Sequence, residues 1–217
     1  MNHSLRRYIE IEILPRYDNF DAAHGRSHVN WVVGESMALA QHLTEEDPNL
    51  PIDEQMVYVI AAYHDVGLAV DRATHHLVSA RMLRDDRQLS QWFSPGQILQ
   101  MAEAVEDHRA SSDHEPRSIY GCIVAEADRD LEPEIVLRRT VQYGLSVYPE
   151  KNREEHWRRF CQHLHDKYSA TGYIRLWLRN SASENHLQQL RSMIDNPSLL
   201  RQNFDRLFDE EKRLRQV

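Results

Sequence analysis

The chain has 217 residues, 41% of them hydrophobic and 28% charged, with a formal net charge of −8, so it can bury one sizeable core with an appendage and lies far from a disordered composition. The negative balance argues against a nucleic-acid duplex as the main partner, because such binding depends on a Lys/Arg field that displaces counterions. No run approaches the roughly 18 apolar residues of a membrane span, MNHSLRRYIEIEIL lacks the apolar core of a signal peptide, and Cys122 and Cys161 have no metal-ligand spacing, so we expect a cytoplasmic protein with free thiols and no membrane partner.

With 7 glycines and 8 prolines and few alternating runs, the sequence predicts an all-α fold. Helices are expected near 4–14, 26–44, 53–66, 73–86, 95–109, 116–130, 133–147, 151–168, 171–179, 183–194 and 197–215. Asp53 can cap the third, with Ile52 and Val57 as a hydrophobic staple, and SPGQ at 94–97 combines a capping box with proline at the first helical position. Glu115-Pro116, Glu132-Pro133 and Asn196-Pro197 repeat that proline-first pattern. Loops are expected over 45–51 and 108–116. Past about residue 150 the helices become polar and amphipathic, which suggests a domain over 1–149 and a C-terminal helical extension over 150–217 packed on it.

Several of these helices carry a polar residue on an apolar face. His28 precedes Trp31 and Val32. His64 continues the stripe of Val57, Ile60 and Ala61, and Asp65 sits about 100° further round. His76 precedes Ala80 and Leu83, His108 follows Ile98, Met101 and Val105, and Asp128 follows Val124 and Ala125. A buried carboxylate must be paired, hydrogen-bonded or metal-bound. Imidazoles and carboxylates together form a mixed N/O set suited to Mn, Fe, Co or Zn, and six such groups can hold two ions.

An isolated histidine (GRSHVNWV), a His-Asp dipeptide at a helix end (AAYHDVG) and a later aspartate (AEADRD) resemble the HD-domain superfamily of metal-dependent phosphohydrolases, from about residue 24 to 130. The resemblance implies an HD-type helical bundle with additional C-terminal helices. It implies that His28, His64, Asp65 and Asp128 bind one ion, that Asp65 bridges, and that His76 and His108 hold a second. Mg is a further option beside the transition metals, with one or two ions bound. The activity implied is hydrolysis of a small phosphorylated substrate, a nucleotide or related phosphate ester or pyrophosphate. Two alternatives are a di-iron oxygenase and a non-catalytic nucleotide-binding regulatory module, and a homodimer is left open.

Around this set, Arg109 and Arg129 directly follow proposed ligands, and either can hold a phosphate oxygen in a bidentate fork; with Asp65 they form the expected catalytic group. Arg72 and Arg26 are weaker candidates for the same work, and Asp71 and Glu106 are candidate proton donors to the leaving group. His24 is set aside because Gly25 interrupts its helix. His75 is set aside because it points about 100° away from the stripe of Ala80 and Leu83. The second dipeptide, His165-Asp166, follows polar residues and is also set aside.

Overall fold

Capping signals in the sequence account for most of the helix boundaries. The computed structural model describes residues 1–21, 24–112, 114–178 and 181–215, and among them there are ten α-helices and no strand. The contacts divide the chain into two compact units, Met1–Arg129 and Asp130–Val217. In the first unit, α1 (His3–Tyr8) runs through a π-helical turn (Ile9–Ile13) into a 3-10 segment (Leu14–Asn19), followed by α2 (Arg26–Glu46), α3 (Glu54–Tyr63), α4 (His75–Asp85), α5 (Pro95–Asp107) and α6 (Ile119–Ala127). Asp53 caps α3 by accepting from the Gln55 amide, and Ser94 and Gln97 form a reciprocal capping box with Pro95 at the first position of α5.

Helix α3 is the centre of the first unit. Every residue from Met56 to Tyr63 is buried, as required of a helix that is apolar all round. It packs against α2, α5, α6 and the π-helical turn. Ile60, Met101 and Ile123, from three different helices, are all fully buried. The chain then turns sharply at His64-Asp65 into a 3-10 segment (Val66–Ala69), on which α4 lies.

The second unit contains α7 (Pro133–Val147), α8 (Arg153–Tyr168), α9 (Ala182–Ile194) and α10 (Pro197–Leu214). Phe160 and Phe204 pack at a tilt with ring centroids 5.1 Å apart, and Phe204 meets Phe208 at 5.3 Å. This aromatic seam is the inner face of the Arg- and Glu-rich helices. Helix α7 groups with this unit, whereas the change of sequence texture lies after it, near residue 150.

Two expectations fail locally. Residues 171–178 are not helical, because the backbone N–H groups of Gly172, Tyr173 and Ile174 donate to the carbonyls of Ser169, Asp166 and Lys167. They satisfy the end of α8 and have no role left in a new helix. Residue 179 of that expected helix lies outside the described residues. Glu115-Pro116 does not open a helix either: α6 starts at Ile119, with Ser118 accepting from the Gly121 amide, while the Arg117 amide donates to Asp107 at 2.8 Å.

Candidate metal centre

Three imidazoles are oriented by the main chain. His64 caps α3 and donates from Nδ1 to the Ala61 carbonyl at 2.7 Å. His108 does the same at the end of α5, to the Val105 carbonyl at 2.6 Å. His75 opens α4 and donates to the Arg72 carbonyl at 2.9 Å. With the proton held on Nδ1, the Nε2 lone pair of each ring is left free to act as a donor atom.

All three Nε2 atoms face the Asp65 carboxylate, one oxygen to each side. Asp65 Oδ2 lies 3.5 Å from His64 Nε2 and 3.8 Å from His28 Nε2. Its other oxygen, Oδ1, lies 3.3 Å from His75 Nε2 and 3.5 Å from His108 Nε2. His28 enters from the first turn of α2, and Asp128 from the end of α6, with Oδ1 3.1 Å from His28 Nε2 and 3.8 Å from His64 Nε2.

This arrangement fits a divalent cation. The Nε2 atoms of His28 and His64 stand 3.3 Å apart, and the second has its proton committed to Ala61, so both rings turn a nitrogen toward the same small space. Two groups of donor atoms, from His28, His64 and Asp65 and from Asp65, His75 and His108, each lie within 4.8 Å of one another. Nitrogen and oxygen donors in that mixture suit a divalent transition metal. Electrostatics agree. Burial would depress the His64 pKa, but the Asp65 and Asp128 carboxylates outweigh it and raise it to about 9, so in the metal-free site a proton on Nε2 takes the place that a cation would fill. Burial opposes ionisation of Asp65, yet His64 and His108 hold its pKa well below the usual carboxylate range.

Of the residues expected from sequence, the structure brings together His28, His64, Asp65, His108 and Asp128. It does not bring His76 to them. His75 takes the place beside Asp65, while His76 lines a separate cleft with Glu106, Arg109, Ser111, Ser112 and His114. The reason lies in Ser79. Its hydroxyl accepts from the Gly67 amide at 2.8 Å, so the side of α4 that meets the His-Asp turn carries His75 and Ser79 one turn apart. A count of apolar residues overlooks a serine and selects the neighbouring stripe. Gly67 was the available signal, since a Cβ there would come within 2.3 Å of the His75 carbonyl oxygen and 2.7 Å of the Ser79 nitrogen. Only a side-chain-free residue allows this approach.

Tyr17 is a further residue that sequence reasoning missed. Its buried hydroxyl donates to the Ala62 carbonyl at 3.0 Å and accepts from the Asp65 amide at 3.1 Å, clamping the turn that presents both HD residues. Nothing local in LPRYDNF announces a bond made 45 residues away. Asp107, next to His108, is a further residue that sequence reasoning missed: buried itself, it accepts from Arg117 through Nε at 3.0 Å and Nη2 at 2.7 Å.

The remaining candidates separate by environment. Arg109 donates to the Ala73 carbonyl at 2.8 Å and lines the cleft. Arg129 is 8% exposed beside Asp128, and burial lowers its pKa. Arg72 pairs with Asp21 at 3.1 Å and Arg26 with Asp18 at 2.9 Å, both on the surface. Asp71 accepts from the Thr74 hydroxyl and from the Ala73 and Thr74 amides, which lowers its pKa and keeps it ionised. Glu106 pairs with Arg117 at 3.2 Å. His24 pairs with Asp21 at 2.7 Å, and His165 is exposed beside Asp166 in α8.

The difference between the adjacent histidines is measurable. We expect His75→Ala to lose one of two bound cations per chain by elemental analysis after manganese loading, and His76→Ala to keep both. Equal metal content in the two variants would contradict the geometry.

Residues 31–131 match the family model described as the HD domain. His28 lies just before that match. No curated protein and no solved structure matches the chain. Among the described residues no helix is long and apolar enough to cross a membrane. A helical scaffold, a His-Asp turn whose carboxylate meets four imidazoles, and the matched segment agree: the chain carries an HD domain, the fold of a metal-dependent hydrolase superfamily, over residues 31–131.

Proposed function

We propose that the protein is a metal-dependent phosphohydrolase acting on a small phosphorylated compound, a nucleotide or related phosphate ester or pyrophosphate. The observation that supports this best is the Asp65 carboxylate, which presents Oδ2 to His28 and His64 and Oδ1 to His75 and His108. His28, His64 and Asp128 would hold one cation and His75 and His108 the other, with Asp65 shared. Bound there, two divalent ions supply Lewis-acid polarisation of a phosphoryl group and acidify a water toward neutral pH.

The protein's own groups set the conditions for that chemistry. Asp65 and Asp128 are the two carboxylates of the cluster, so a pair of divalent ions leaves a surplus of positive charge, which lets a chain of net charge −8 accept an anion. Tyr17 keeps the His64-Asp65 turn from relaxing, and its pKa, held well above the ordinary phenol value by burial and by Asp65, keeps it neutral. Arg109, at the open edge, is better placed to meet a phosphate oxygen than Arg129, which is enclosed beside Asp128.

The test is phosphate release by the purified protein with manganese or cobalt, over nucleoside mono-, di- and triphosphates, sugar phosphates, phenyl phosphate and pyrophosphate. We expect release from at least one class, lost on chelation and regained on adding metal. Metal retained at two ions per chain with no release from any of them would overturn the proposal.

A further inference from the structure

The cleft that takes His76 in place of the metal cluster asks for an occupant. It has a volume of about 330 Å³ and is lined by His76, Glu106, Arg109, Ser111, Ser112 and His114. Two of these directly follow cluster residues in sequence: His76 follows His75, with ring centroids 5.6 Å apart, and Arg109 follows His108. A substrate with its phosphate at the cluster therefore has the cleft within reach on the His75/His108 side.

The hydrogen-bonding inventory of the cleft selects what fits. Arg109 can only donate and ionised Glu106 can only accept. His114 commits Nδ1 to the Glu115 carbonyl at 3.0 Å, which leaves Nε2 as an acceptor. His76 has a buried Nδ1 with no partner, and the two serine hydroxyls can act either way. A phosphate group, which only accepts, would set its negative charge against the Glu106 carboxylate, already paired with Arg117, and would offer no hydrogen to His114 Nε2. An ammonium group would face Arg109. The charges nearby also balance: Arg109 and Arg117 are offset by Glu106 and Asp107, the last two both paired to Arg117. Among the described lining residues none is aliphatic, so a flat hydrophobic group gains little there. A neutral group rich in hydroxyls, able to donate and accept at each position, satisfies the set.

We propose that this cleft is a subsite for the polyhydroxylated portion of the substrate, so that the compound hydrolysed is the phosphate ester of a sugar or similar polyol, with the hydroxyls bonded to His76, Glu106 and the serines. This inference rests on the phosphohydrolase reading for its kinetic arm only. Two measurements keep the two apart. In the first, saturation-transfer NMR with unphosphorylated ribose and inositol reads binding to the manganese-free protein; we expect transfer that is lost in His76→Ala and Glu106→Gln. In the second, kcat/KM of the manganese-loaded protein is compared for ribose 5-phosphate and phenyl phosphate; we expect each variant to lower the ratio at least tenfold, mainly through KM for the sugar ester. Absence of transfer to the unaltered protein, or an unchanged ratio in both variants, would overturn the subsite. Transfer that behaves as expected, with no hydrolysis of any ester, would uphold the subsite and remove the phosphohydrolase reading. A preference for pyrophosphate that strengthens in Glu106→Gln would show that the cleft takes an anion, and the polyol assignment would fall.

Discussion

Replacing Asp65 by asparagine is expected to lower phosphate release by at least about 10³-fold, about 4 kcal/mol of lost transition-state stabilisation, together with bound metal. The substitution keeps the volume of the side chain, so the loss reports charge and donor chemistry. One carboxylate oxygen now serves His28 and His64 and the other His75 and His108. In asparagine one of those positions becomes an NH₂ group, which cannot ligate a cation and presents hydrogens where it was held. Elemental analysis and a phosphate assay on the same sample check both halves. Retention of two ions with full activity would show that Asp65 is not shared.

The same variant has a pH signature in the metal-free protein. The His64 pKa is raised from 6.5 to about 9, so its contribution to stability is complete below the unfolded value and disappears as pH rises through about 9. The Asp65 pKa is lowered from 3.8, so its contribution is complete above that value and disappears as pH falls below it. The pair therefore stabilises most between the two unfolded values, 3.8 and 6.5. Thermal unfolding of the chelated protein should show Tm falling between pH 6.5 and 9, with a shallower fall in Asp65→Asn. Parallel profiles would remove this pair as the cause.

Arg117→Ala is expected to destabilise the first unit by about 3 kcal/mol, which for a domain of this size lowers Tm by about 6–12 °C. The Asp107 side chain is 0% exposed and its charge is met by Arg117; without the guanidinium it is left buried and uncompensated. Arg117 is itself 41% exposed, which places the estimate at the lower end of the range for buried pairs. The loop after His108 should loosen as well, since the Arg117 backbone amide and side chain both anchor on Asp107. Calorimetry gives the first effect and metal affinity the second. A Tm within about 2 °C of the unaltered protein, well below the expected fall, would show that water already shields Asp107.

Much of this architecture is legible in the chain itself, and the exceptions have physical causes. The helices around Glu54–Tyr63 and Pro95–Asp107 are announced by caps and apolar stripes, and those stripes run directly into His64 and His108. Position 75 is harder to read because α4 meets the His-Asp turn through Ser79 and Gly67, a contact made by a hydroxyl and by the absence of a side chain, neither of which a hydrophobic pattern records. Tyr17 acts through a long-range bond. The stretch 171–178 fails for the opposite reason: its residues can form a helix, but their amides are already used on α8.

Helix α3 also constrains the order in which the protein can be made. It is finished at residue 63, whereas α5 and α6, two of the helices that cover it, end at residues 107 and 127. At translation rates of about 5–20 residues per second, the nascent chain carries an uncovered oily segment for several seconds outside the ribosome. Chaperone occupancy on arrested chains just long enough for residue 63 to have left the ribosome exit tunnel should accordingly be high, and should drop once α6 (Ile119–Ala127) has emerged as well.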